Sequence, residues 1–127
     1  MIARVLLADD DELVRRAIGN SLARAGFEVI AVDDGAPAIA MADKTLFDFV
    51  IADLNMTTVS GVEVVKHYKN KFGVGVCCIV LSGDDDATSN AACYRAGADD
   101  VILKPTSPSE LRRRLMSAAL ALRGNAA

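Results

Sequence analysis

The chain has 127 residues, 52% hydrophobic but only 5% aromatic, and a formal net charge of -3. That length suits one domain with an aliphatic, alanine-rich core, and the acidic balance argues against direct nucleic-acid binding. No apolar stretch approaches a membrane span and there is no signal peptide, while Cys77, Cys78 and Cys93 form neither a disulfide framework nor metal-ligand spacing; the cytoplasm is the expected compartment, with no membrane partner.

Apolar runs alternate with helical patterns five times. Residues 2–8 read as a first strand buried on both faces, followed by Asp9-Asp10-Asp11-Glu12. Val14, Ile18, Leu22 and Ala25 then recur at helical spacing, with Gly26 as a stop. Residues 27–32 form a second short strand ended by Asp33-Asp34-Gly35, and Pro37 suits the first turn of an alanine-rich helix reaching about Lys44. Residues 48–53 are the third strand. Ser60-Gly61-Val62-Glu63 has the form of a capping box, and the helix it opens places Val62, Val65 and Phe72 roughly on one face. Residues 74–81 give the fourth strand, in which Cys77 and Cys78 point to opposite faces. Residues 86–96 form a helix with a weak apolar stripe, expected to be the least firmly docked. Residues 100–103 are the fifth strand. Ser107-Pro108-Ser109-Glu110 starts a last helix with Leu111, Leu115, Ala118 and Leu122 as its stripe. Residues 124–127 are expected to fray or to begin a linker.

Five strand–helix units of this length predict an α/β fold, a doubly wound parallel sheet with helices on both faces. Ligands of such sheets bind beyond the carboxyl ends of the strands. Those ends carry Asp9 and Asp10, Asp33, Asp53, Ser82 and Lys104. Clustered carboxylates repel and raise one another's pKa, so the pocket calls for a cation. Asp9, Asp10 and Asp53 can supply oxygen ligands for Mg²⁺. A carboxylate acting on a phosphoryl group forms an aspartyl-phosphate; Ser82 can donate a hydrogen bond to such a group and Lys104 can pair with it as a point charge. Each residue has a plainer reading alone: Asp9 to Glu12 as helix-start residues, Asp53 and Ser82-Gly83 as turn residues, Lys104-Pro105 as a strand stop whose proline can take a cis bond. Asp11 and Glu12 fit only the helix-start role, and the single histidine, His67, sits on the third helix away from the strand ends. The ordered combination carries the weight.

The stretches Val5-Leu6-Leu7-Ala8-Asp9-Asp10-Asp11, Ile51-Ala52-Asp53-Leu54-Asn55-Met56, Ile79-Val80-Leu81-Ser82-Gly83, Ala96-Gly97-Ala98-Asp99-Asp100 and Leu103-Lys104-Pro105 resemble the receiver domain of two-component response regulators, of the chemotaxis-receiver kind. The resemblance spans residues 2 to about 122 and sets the domain at 1–123. It implies a flavodoxin-like fold with strand order 2-1-3-4-5 and phosphorylation of Asp53 by a histidine kinase or phosphotransfer protein. It implies Mg²⁺ (or Mn²⁺) held by Asp10, Asp53 and the main-chain carbonyl of Asn55, with Asp9 acting through water. Ser82 and Lys104 would read the phosphoryl group, the Lys104–Pro105 bond would be cis, and Asn55 and Asp84 would tune phosphoryl lifetime. A downstream protein partner or output domain would receive the signal; if the chain dimerises, the fourth and fifth helices are the expected surface.

Three departures from the family pattern stand out. Thr57 replaces the usual proline after the methionine, so the loop after Asp53 is expected to be more mobile. Val101 replaces the usual aromatic switch residue, so the signal is expected to run through backbone shifts after Ser82 and in the helix at 86–96. Thr106 replaces the aromatic often found after Lys-Pro. Val101 and Thr106 keep a second reading open, a receiver-like interaction module working without phosphorylation. A third, a small Mg²⁺-dependent phosphatase with Asp9 and Asp11 spaced two apart after the first strand, meets the objection that the chain has no residues for a cap domain. Met1 directly before the first strand favours an amino-terminal position, as a stand-alone receiver or the first domain of a longer regulator.

Overall fold

The computed structural model describes residues 2–83 and 87–125; Asp84 and the two residues after it lie outside them. Strands β1 (Arg4–Ala8), β2 (Glu28–Val32), β3 (Phe49–Asp53), β4 (Cys77–Ser82) and β5 (Asp100–Leu103) alternate with helices α1 (Glu12–Arg24), α2 (Gly35–Ala40), α3 (Gly61–Phe72), α4 (Ala87–Ala96) and α5 (Pro108–Asn125). The strands form one parallel sheet in the order β2-β1-β3-β4-β5. This is the doubly wound, flavodoxin-like arrangement expected.

The sheet separates two cores. On one face Leu6, Val50, Cys78 and Val80 pack with Ala38, Val64, Val65, Tyr68 and Cys93 from α2, α3 and α4. On the other, Val5, Leu7, Phe49, Ile51, Ile79 and Leu81 meet Ile18 and Leu22 of α1 and Leu111 and Leu115 of α5. Period-two alternation within each strand divides its side chains between the cores. Cys78 joins the first core and Cys77 packs against the second, on opposite faces as expected. Burial pushes the Cys77 and Cys78 thiols up to about 11 and about 12, which leaves both as inert thiols.

The structure alters several element boundaries. The buried stripe of α3 is Gly61, Val64, Val65 and Tyr68, with Val62 and Phe72 only half-buried. Tyr68 takes the central place because its hydroxyl donates to the Ala38 carbonyl at 2.7 Å, satisfying its polar end inside the core. Ser60 caps α3, accepting from Glu63 N–H at 3.4 Å, but Glu63 pairs with Lys66 at 3.6 Å. Residues Gly73–Gly75 form a 3₁₀ turn with Val74 98% exposed, so β4 begins at Cys77 and not at residue 74. Helix α5 is capped by Ser107 as expected and continues to Asn125. Among the buried residues of its stripe is Ala119, where Ala118 was expected.

Candidate functional site

Strand register brings the candidate residues to one end of the sheet. Ala8 pairs with Ala52, so Asp9 and Asp53 follow at the same level on neighbouring strands. Asp53 pairs with Leu81 and Ser82 with Leu103, which places Ser82 one residue and Lys104 two residues beyond the level of Asp53. Two main-chain bonds tie these ends together: Leu54 N–H donates to the Leu81 carbonyl at 2.8 Å and Lys104 N–H to the Ser82 carbonyl at 2.7 Å. The Lys104–Pro105 bond is cis.

One carboxylate oxygen each from Asp9, Asp10 and Asp53 lie within 4.8 Å of one another. Asp9 is wholly buried, Asp53 is 7% exposed, and Asp10 faces solvent. Asp9 Oδ1 accepts from the Asp11 N–H at 2.9 Å, while its buried Oδ2 has no hydrogen-bond donor among the described residues. Its nearest cation is the Lys104 ammonium at 3.6 Å. An orphaned carboxylate oxygen beside two further carboxylates is a set of hard oxygen donors, which suits a divalent cation such as Mg²⁺.

Lys104 Nζ lies 3.1 Å from Asp53 Oδ1. Burial lifts the Asp53 carboxyl above the usual carboxylate range; Lys104 pulls it down, Asp9 pushes it up, and the Asn55 N–H pulls it down again. Burial and like charge thus prevail over a single ammonium, and more positive charge at this site would favour the ionised form.

The remaining acids divide by role. Asp11 caps α1, accepting from Leu13 and Val14 N–H at 3.0 and 3.2 Å, and Glu12 pairs with Arg16 at 2.8 Å. Asp33 is exposed at the end of the edge strand β2 and takes no part in the cluster. Ser82 is wholly buried, Asn55 is exposed, and Val101 is half-buried against the α2/α3/α4 core. Asp84 lies outside the described residues. His67 is half-buried on α3 with its ring at an angle to Tyr68.

Several contacts around the site escaped the sequence reading. Arg15 Nη1 donates to the Asp9 carbonyl at 2.7 Å. A Cβ on Gly61 would lie 2.5 Å from the Asp53 carbonyl oxygen, so the start of α3 packs directly on the Asp53 backbone. The loop between them, where Thr57 stands in place of a proline, is tied to Asp34 through Thr58 and Val59 N–H. Farther away, Lys69 pairs with Asp99 at 2.7 Å, and Asp99 accepts from Cys78 N–H at 2.8 Å. Of these, only the Asp-Gly turn at 34–35 and the Ser-Gly at 60–61 left a visible mark in the sequence.

The family model for the response regulator receiver domain matches residues 5–116. The chain is 38% identical to the transcriptional regulatory protein PrrA of Mycobacterium tuberculosis over 98% of its own length and 52% of PrrA. It is 32% identical to the uncharacterized transcriptional regulatory protein YrkP of Bacillus subtilis over 92% of itself and 49% of YrkP. The chain therefore spans about half the length of these curated relatives. Its fold superposes on the chemotaxis protein CheY4 of Vibrio cholerae with a TM-score of 0.85 and 30% identity, over 92% of this chain and 98% of that one. Among the described residues, no helix is long and apolar enough to cross a membrane.

Proposed function

The chain belongs to the response regulator receiver family of two-component systems, and on that premise we propose that it is a phosphorylation switch with Asp53 as its phosphoacceptor. The observation that carries this reading is the clustering of Asp53 with the Asp9 and Asp10 carboxylates, with the Lys104 ammonium 3.1 Å from Asp53 and 3.6 Å from Asp9. Asp53 and Asp10, with the main-chain carbonyl of Asn55, would hold Mg²⁺, and Asp9 would support it through water. That ion would neutralise the incoming phosphoryl oxygens and keep Asp53 ionised.

In the transfer, an Asp53 carboxylate oxygen forms a bond to phosphorus while the phosphorus–nitrogen bond of a phosphohistidine breaks. The electron pair returns to the imidazole, which takes a proton from water. Lys104 pairs with Asp53 before the step and with a phosphoryl oxygen after it. The Ser82 hydroxyl donates to another phosphoryl oxygen. Asn55 and Asp84, two residues beyond Asp53 and Ser82 in sequence, would tune the phosphoryl lifetime.

The donor is a histidine kinase or phosphotransfer protein of the cytoplasm. The output is a protein partner or an attached domain, reached through α4, β5 and α5; if the chain dimerises, α4 and α5 would be the surface. The domain signals and turns over no external substrate, beyond slow hydrolysis of its own aspartyl-phosphate. Val101 favours one other reading, an interaction module that ignores phosphorylation, because valine offers no ring to rotate inward. Beryllofluoride with Mg²⁺ separates the two. The switch predicts shifted amide resonances at Ser82, Lys104 and along α4; an unchanged spectrum supports the phosphorylation-independent module.

A further inference from the structure

Asp34 follows β2, an edge strand not adjacent to β3 in the sheet. Its carboxylate nevertheless reaches the loop that follows Asp53. It accepts from Gly35 N–H at 2.6 Å, from Thr58 N–H at 3.1 Å and from Val59 N–H at 3.3 Å. Only the first of these bonds serves the start of α2. The other two cross 24 and 25 residues of sequence to a neighbouring segment. A Cβ on Gly35 would lie 2.7 Å from the Val59 Cβ, so the glycine lets the two backbones close on each other. Burial acts upward on the Asp34 carboxyl, but the Thr58 hydroxyl and the three main-chain N–H groups hold it below the usual carboxylate range. The bonds are therefore charge-assisted at neutral pH.

The tethered pair, Thr58 and Val59, lies in the middle of a loop whose two ends bear on Asp53. At one end Leu54 N–H is fixed to Leu81, and at the other Gly61 N–H donates to the Leu54 carbonyl at 3.0 Å beneath the start of α3. Asn55 sits within that span, one residue past Leu54. Thr57 leaves the backbone of the span free where a ring would restrict it. We propose that Asp34 is a positioning residue for the cation site: by holding Thr58 and Val59 it fixes the loop backbone and with it the Asn55 carbonyl. The inference rests on the reading of Asp10, Asp53 and Asn55 as cation ligands.

Mn²⁺ affinity, read by paramagnetic broadening of amide resonances, tests it in the full chain. Asp34→Ser keeps a hydroxyl able to start α2 but too short to reach Thr58 and Val59. It should weaken Mn²⁺ binding about tenfold, the lower end of what losing an outer-shell partner does to metal affinity. Asp34→Asn keeps one acceptor oxygen and should fall between. Amide exchange should accelerate at Thr58 and Val59 and stay at the wild-type rate in β1, β3 and α5. Wild-type affinity in Asp34→Ser would overturn the proposal, as would exchange that accelerates throughout the chain, which marks a merely structural residue. Failure of the wild type itself to bind Mn²⁺ would overturn the cation reading beneath it, and Asp10→Asn serves as the control that should lose binding.

Discussion

Helix α3 buries Val64, Val65 and Tyr68 and sets Gly61 against the Asp53 carbonyl, whereas α4 buries Cys93 alone. The two helices pack on the same face of the sheet, after adjacent strands that each end at the site. The acid half is therefore held by the start of α3 against the Asp53 backbone, by Asp34 on the loop after it and by Arg15 on the Asp9 carbonyl. The half that begins at Ser82 leads into a helix with little apolar surface to hold it. Segments with few buried apolar contacts open at low free energy, and elements that move in switching come from that class. The contrast sets a helix with a buried stripe against the Asp53 backbone and a helix with little buried apolar surface beyond Ser82.

The largest expected effect tests the firm side. Tyr68→Ala should destabilise the domain by about 3–5 kcal/mol, the range for losing a large buried ring, because it empties the centre of one core and breaks the bond to Ala38. Cys93→Ala in α4 should lose only about 1 kcal/mol, near the mean for point substitutions. Urea unfolding measures both, and equal losses would break the comparison.

Next comes the cation. Mg²⁺ at a hundred times its dissociation constant should stabilise the wild type by about 2.7 kcal/mol, and Asp10→Asn should remove most of that gain. A midpoint that ignores Mg²⁺ would deny the cluster its ligand.

The smallest effect is one of pH. Asp53's carboxyl is raised in the folded state, chiefly by burial, above an ordinary value of 3.8. A raised carboxyl favours folding below that ordinary value, and the advantage disappears as pH rises through the folded value. In metal-free protein, Asp53→Asn should therefore gain stability relative to the wild type as pH climbs across this window. A stability difference that stays flat with pH would contradict the charge balance described.

The sheet and the cluster at its carboxyl ends were legible because they depend on local signals. Apolar runs mark the strands, and parallel register then brings Asp9, Asp53, Ser82 and Lys104 to the same end of the sheet. That α4 buries little was legible from its missing stripe. The face of α3 was not, since a helix with apolar residues at 62, 64, 65, 68 and 72 offers two faces, and the Ala38 carbonyl that accepts from Tyr68 lies 30 residues away. The Asp34 tether was hidden for the same reason: an Asp-Gly pair after a strand reads as a turn, and only the closed fold brings Thr58 to it. The start of β4 was misplaced because Val74 is apolar yet stands in an exposed turn.

The central claim is that Asp53 is the residue that accepts a phosphoryl group. Intact-mass measurement after incubation with acetyl phosphate and Mg²⁺ tests it most directly. The wild type should gain the mass of one phosphoryl group, and Asp53→Asn, or the wild type with a chelator, should gain none. A modification that persists in Asp53→Asn would contradict the account.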